Sequence, residues 1–209
     1  DDHVVVVRST LPVATLKRLR TEIESRAAGS PSFAVFPERL AEGKAIEEIQ
    51  TLPKVVGVDG RAAEEAVRKL LEPFDCELLV TDPETAMFVK LIDNSYRDAI
   101  FAIANQIAYT ADQLKLDAHE AIKLANYGYP RNDIPKPGIV GGKCLPKDPH
   151  FLTDGTVCDQ PTTPDLFNAT RRTNAAAPNY IATELLRKQP SKVCVLGLAY
   201  KRDVSDTFN

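Results

Sequence analysis

TDPETAMFVKLIDNSYRDAIFAIANQIAYTADQL, residues 81–114, decides how the chain is read. Thr81 or Asp82 can cap a helix, and Pro83 suits its first turn. From Glu84 to Leu114 there is neither Gly nor Pro. The stretch therefore predicts one helix of roughly 30 residues, about 45 Å long. Its middle, Ala99–Tyr109, is apolar on nearly every face. A helix apolar all round needs cover on all sides. Either a second subunit or the helix's own bundle supplies it, and the expectation here is a homodimer built on this helix.

Upstream, the texture is different. The runs VVVVR (4–8), FAVF (33–36), KVVGV (54–58) and CELLV (76–80) read as short buried strands. Between them, 13–28 reads as a helix with Leu16, Leu19 and Ile23 on one stripe, and 61–72 as another. Alternating strands and helices predict an α/β layer with a mostly parallel sheet. Downstream, a helix is expected over 118–126, then a Pro- and Gly-rich loop, YGYPRNDIPKPGIVGGKCLPKDP (127–149). Two further helices are expected over 165–174 and 179–188, then a strand at KVCVLGL (192–198).

Composition bounds the function. The 209 residues carry 26 Lys and Arg against 29 Asp and Glu, a net charge of −3. That balance lacks the basic field a nucleic-acid partner calls for. No apolar run reaches membrane-spanning length, and DDHVVVVRST has no signal-peptide pattern. A cytoplasmic, reducing setting follows, with Cys76, Cys144, Cys158 and Cys194 as free thiols. Their spacing forms no CxxC pair, and with only 3 His no metal site is expected. The apolar runs near both ends read as cuts through folded structure, predicting a segment of a longer protein.

The chemistry concentrates in GGKCLPKDP (141–149). Gly141 and Gly142 let backbone N–H groups approach a ligand. Lys143 and Lys147 favour thiolate at Cys144, and Pro146 and Pro149 stiffen the loop. Cys144 is thus either a nucleophile or a plain loop thiol, whereas Cys76 and Cys194 read as core. Lys90, Asn94 and Arg97 share one face of the long helix, as an oxyanion or phosphate clamp or as a solvated stripe. Glu38 and Glu42, in FPERLAEG (36–43), follow a strand, where α/β proteins place ligands; a surface turn is the alternative. Arg131 is an anion ligand or simply exposed, and Lys201 follows a strand.

Together these pieces resemble the UDP-glucose/GDP-mannose dehydrogenases. The matching stretches are RSTLP (8–12), FPERLAEGKA (36–45), VKLIDNSYRDAIFAIANQIA (89–108), PGIVGGKCLPKDPHFL (137–152) and VLGLAYKRDVSDT (195–207), in the family's order. The resemblance implies the second half of a Rossmann-like, parallel-sheet NAD domain over 1–82. It implies an all-α central dimerisation domain over 83–190, and the opening of a nucleotide-sugar domain over 191–209. It implies a four-electron oxidation of a nucleotide-sugar C6 alcohol to the acid with two NAD. Cys144 then matches the nucleophile, Lys90 and Asn94 the oxyanion stabilisers, and Asp148 a proton-handling carboxylate. Glu38 matches the glutamate of thioester hydrolysis. Thr10 matches a position near the catalytic water and the nicotinamide, and Glu42 and Lys147 fall with the cofactor. Arg97, Arg131, Gly141, Gly142 and Lys201 fall with the substrate, Arg131 reaching across the dimer.

The resemblance has departures. Lys143 stands where the family often has His or Ser, STLPVAT (9–15) lacks a Pro and a Gly of the family's motif, and Phe208 replaces a common Arg. The texture leans towards UDP-linked N-acetylhexosamines. Two other classes share much of this pattern: a non-catalytic dimerisation module, and a hydroxyacid dehydrogenase that needs no cysteine.

Overall fold

β-Branched runs form the strands of the computed structural model: β1 (Val4–Val7), β2 (Ser32–Val35), β3 (Lys54–Asp59) and β4 (Leu78–Thr81). The helices are α1 (Val13–Arg26), α2 (Ala45–Thr51), α3 (Arg61–Leu71), α4 (Pro83–Leu114), α5 (Ala118–Asn126), α6 (Asp148–Thr153) and α7 (Asp165–Arg187). The structure describes residues 3–27, 29, 31–155, 165–197 and 199. Cys158, Lys201 and Phe208 lie outside them. No helix among the described residues is long and apolar enough to cross a membrane.

Two compact units divide the chain. The first is built from the residues up to Asp93. Its sheet has the order β1-β2-β3-β4, with β1–β2 and β3–β4 parallel and β2–β3 antiparallel. Strand alternation sorts its core into two layers. Phe33 and Val35 pack with Leu16, Ala86 and Met87 on one face. Ala34, Phe36 and Val56 pack with Ala63, Val67 and Leu71 of α3 on the other. The antiparallel step is a finding that hydrophobic spacing does not reveal, because strand direction leaves the period of two unchanged.

The second unit is built around the rest of α4, α5, the loop that leads to α6, and α7. Four side chains of α4 bond to α7, at Asp98, Asn105, Tyr109 and Asp112. Tyr109 and Tyr180 also meet ring to ring, with centroids 4.3 Å apart. The N-terminus of α5 is capped by Asp117, which accepts from the His119 and Glu120 N–H groups.

Three local expectations are corrected. Residues 165–187 form one helix, with Pro178 inside it, rather than two. Proline removes one intrahelical donor, but α7 is held on both sides of Pro178 by its bonds to α4, from Arg171 and Asn174 before it and Tyr180 after it. Residues 192–197 form no strand, and Val195 and Leu196 are exposed; a strand needs a ladder partner. The short helix α6 begins inside the expected loop 127–149, and α2 lies where no element was expected, each being too brief to show a period.

Two features at the start of α4 can be tested. A Cβ at Gly57 of β3 would lie 2.4 Å from the Pro83 Cα and 2.6 Å from the Asp82 carbonyl oxygen. Gly57→Ala should therefore cost about 1–3 kcal/mol, or more if the backbone cannot shift, read by denaturant unfolding. Asp82, not Thr81, accepts from the Thr85 N–H at 2.8 Å and caps the helix. Hydrogen bonds from the Thr85 hydroxyl and then its N–H lower the Asp82 carboxyl below its ordinary 3.8. Its stabilisation is present above the unfolded pKa and is lost as pH falls through the folded value. Asp82→Ala should lower stability by about 1 kcal/mol near neutrality, and the gap to the parent should close in acid below about pH 4.

Candidate functional site

In the second unit, the loop 138–147 delivers Cys144 to the surface, where it is exposed with its thiol free. Gly142 is buried and has φ +92°, a left-handed conformation that a side chain would strain. The Cys144 carbonyl accepts from the Lys147 N–H at 3.0 Å and the Asp148 N–H at 2.9 Å, folding the chain directly into α6.

Asp148, first residue of α6, is wholly buried. Its carboxylate accepts from Asn94 Nδ2 at 2.5 Å and from Lys147 Nζ. Asn94 is itself buried on α4. A buried carboxylate persists as an anion only with such donors. The pair therefore ties the base of the cysteine loop to α4. A cavity of about 250 Å³ lies beside the loop, lined by Arg97 and Phe101 of α4 and by Lys136, Gly138, Gly141 and Leu145. Arg97 is exposed. Arg131 is exposed too, its guanidinium 4.4 Å from the Tyr129 ring centroid and its Nε donating to the Tyr129 hydroxyl.

Lys90 lies one turn before Asn94 on α4 and is only 8% exposed. Among the described residues its ammonium has no hydrogen-bond or ion-pair partner. Burying a cation without one is costly.

In the first unit, parallel pairing brings the C-terminal ends of β1 and β2 to one sheet edge. There the Val7 carbonyl accepts from the Phe36 N–H at 2.9 Å. Arg8 lies 4.5 Å over the Phe36 ring and pairs with Glu38. Glu38 Oε1 also accepts from the Arg39 and Leu40 N–H groups at 2.9 and 3.0 Å. Arg39 pairs with Asp93 at 2.7 Å. Thr10 is half-buried and Glu42 exposed on the segments that leave this edge. Such strand ends are where α/β sheets receive ligands, and a hydroxyl and two carboxylates there suit a dinucleotide's ribose and nicotinamide groups.

Sequence reading missed several residues here. Asp98, Asn105, Arg171 and Asn174 form a buried polar network, and Arg8 holds Glu38. An amide pair, Asn105 and Gln106, inside AIFAIANQIAY was the available signal, since an amide in an apolar helix needs a partner. The partners of Asn105 lie 33 and 69 residues away, beyond any local pattern.

Two family profiles match the chain. The NAD binding domain of the UDP-glucose/GDP-mannose dehydrogenase family covers residues 1–75, and that family's central domain covers 84–176. UDP-N-acetyl-D-mannosamine dehydrogenase of Pyrococcus horikoshii is 35% identical over 99% of this chain and 51% of its own length. The solved structure of the dehydrogenase from that organism superposes with a TM-score of 0.85 at 34% identity, covering 99% of this chain and 51% of the other. NDP-N-acetyl-D-galactosaminuronic acid dehydrogenase of Ralstonia nicotianae is 30% identical over 97% of this chain and 51% of its own. The chain spans about half the length of the curated relatives it matches. With both profiles in chain order and the fold shared, this chain belongs to the UDP-glucose/GDP-mannose dehydrogenase family.

Proposed function

We propose that the whole protein oxidises the C6 alcohol of a UDP-linked N-acetylhexosamine to the carboxylate, with Cys144 as nucleophile. The buried Asn94–Asp148 bond under the cysteine loop carries this reading, because it fixes a thiol-bearing loop to a rigid helix. The names of the relatives, dehydrogenases of UDP-N-acetylmannosamine and of an N-acetylgalactosaminuronic acid, support the sugar class.

Bound NAD supplies the hydride acceptor for both oxidations. In the first, the alcohol loses a hydride and its hydroxyl proton and becomes an aldehyde. The Cys144 thiolate then adds to the carbonyl carbon, and the oxygen takes a proton to give a thiohemiacetal. A second loss of hydride and hydroxyl proton leaves a thioester, which water cleaves to the acid and the free thiol. Lys90 and Asn94 stabilise the negative oxygen that develops at each carbonyl addition. Asp148, with a water, relays the proton. Glu38 directs the hydrolytic water. Thr10, Glu42 and Lys147 hold the cofactor side, and Arg97, Gly141 and Gly142 hold the sugar.

In this reading the protein works in the cytoplasm as a homodimer. Support comes from the apolar stripe that α7 leaves uncovered on α4. Tyr96, Ile103 and Leu114 are 64, 52 and 63% exposed, and a groove of about 400 Å³ runs past Ile103, Ile107 and Leu114. Arg131, near Tyr96 and Ile103 on this surface, then reaches the partner's site. Residues 1–82 serve as the cofactor half-domain, 83–190 as the central domain, and Lys201 acts from the nucleotide-sugar domain.

Two measurements test the reading. Near pH 7, iodoacetamide should label Cys144 at least tenfold faster than Cys194, as peptide mapping by mass spectrometry reads it; equal rates would favour the non-catalytic module. In the whole protein, Cys144→Ala should abolish acid formation from UDP-N-acetylhexosamine and NAD, and retained activity would point to a cysteine-free dehydrogenase. For the dimer, sedimentation should give twice the monomer mass, and Ile103→Glu should return it to one; a monomeric parent overturns that part.

A further inference from the structure

Eleven residues separate Asn94 from Asn105 on α4, which is three helical turns within about 20°. The two amides therefore stand on one face, about 16 Å apart along the axis. Asn94 holds Asp148, just after Cys144. Asn105 holds Gly138, just before the glycine-rich stretch. Its Nδ2 donates to the Gly138 carbonyl at 3.0 Å and its Oδ1 accepts from the Gly138 N–H at 2.8 Å. One side chain thus satisfies both backbone groups of one peptide residue, as a neighbouring strand would.

Asn105 is 2% exposed and has no freedom to turn. The second hydrogen on its Nδ2 goes to Asn174 Oδ1 at 3.0 Å. Asn174 Nδ2 in turn donates to the Asp98 carbonyl and to Asp98 Oδ1, both at 2.8 Å. Asp98 is wholly buried, and Arg171 neutralises it at 2.5 Å. Each amide has both of its hydrogens used, so a flip of either would set donor against donor. Between the two clamped positions, Arg97 and Phe101 form the helix wall of the cavity, and Gly138, Gly141 and Leu145 form its loop wall.

We propose that Asn105 is a positioning residue, which through the Gly138 peptide sets the height of the cysteine loop over α4 and thereby the reactivity of Cys144. The inference rests on the reading of Cys144 as the nucleophile. A loop tied only at its Asp148 end can swing, whereas one tied at both ends presents its thiol at a fixed place. Asn174, Asp98 and Arg171 act one step further out, by fixing the Asn105 amide.

Hydrogen exchange of the 209-residue chain, with Cys144 alkylation followed by mass spectrometry, tests this. In Asn105→Ala the Gly138 amide should exchange about tenfold faster, the worth of one buried hydrogen bond. Amides in the middle of α4 should stay within twofold, and the Cys144 rate should change at least threefold. Asn105→Asp keeps an acceptor for the Gly138 N–H but sets its other oxygen against the Gly138 carbonyl and Asn174 Oδ1, so it should loosen Gly138 and shift the Cys144 rate as Asn105→Ala does. Thr170→Val, which touches Asp98 but not the loop, should move neither. The proposal is overturned if Gly138 exchange is unchanged in Asn105→Ala, if α4 and the loop accelerate together, or if the loop loosens without altering the Cys144 rate. Should Asn105→Ala fail to fold, Asn174→Ala reads the same two quantities; the expected result is a smaller acceleration at Gly138 with a shifted Cys144 rate, and no change overturns the proposal. A parent Cys144 no faster than Cys194 sinks the nucleophile reading alone, and the Gly138 amide still judges the clamp.

Discussion

A long helix that buries polar side chains must find a partner for each of them, and α4 buries five: Lys90, Asn94, Ser95, Asp98 and Asn105. Each unpartnered group would cost about 1–3 kcal/mol, and more if charged. Three of the five are answered from elsewhere in the chain: Asp148 takes Asn94, Arg171 and Asn174 take Asp98, and Gly138 and Asn174 take Asn105. These bonds leave little choice in how α7 and the cysteine loop lie on the helix. A slip of α7 by one turn would strand Asp98 and Asn105 together, so polar matching sets a register that apolar contacts alone leave loose. The Ser95 hydroxyl finds no hydrogen-bond partner and Lys90 no counter-charge among the described residues.

Asp98 and Lys90 differ in how the fold answers a buried charge. Asp98 is a buried charge with a full set of donors, and removing its cation would leave a costly orphan. Lys90 is a buried charge left open. The same helix therefore carries one buried charge closed by α7 and one with no partner among the described residues. Glu38 shows an intermediate state: an exposed carboxylate already engaged by Arg8 and two backbone N–H groups. Its position is thus set by neighbours in the chain.

Much of the architecture was legible in local patterns. The absence of Gly and Pro from Glu84 to Leu114 announced α4, and Val-rich runs announced the strands, because backbone entropy and β-branching act residue by residue. The loop around Cys144 was legible because glycines and prolines break regular structure. What stayed hidden was set by distance in sequence. The reversal of β3 depends on how its connection returns. The continuity of α7 across Pro178 depends on its grip on α4, and KVCVLG has no strand to pair with among the described residues. The partners of Asn105 depend on helix packing. Rules that look three or four residues ahead cannot see a bond that closes 69 residues away.

The segment Lys192–Gly197 carries one last consequence. Val193, Val195 and Leu196 are 52, 81 and 89% exposed, in a run with strong β preference. Water cannot satisfy those side chains, and another copy can: two such runs laid side by side would zip their N–H and C=O groups together and hide the aliphatic surface. A strand-like run left uncovered in this way is a place where one copy of the chain can adhere to another.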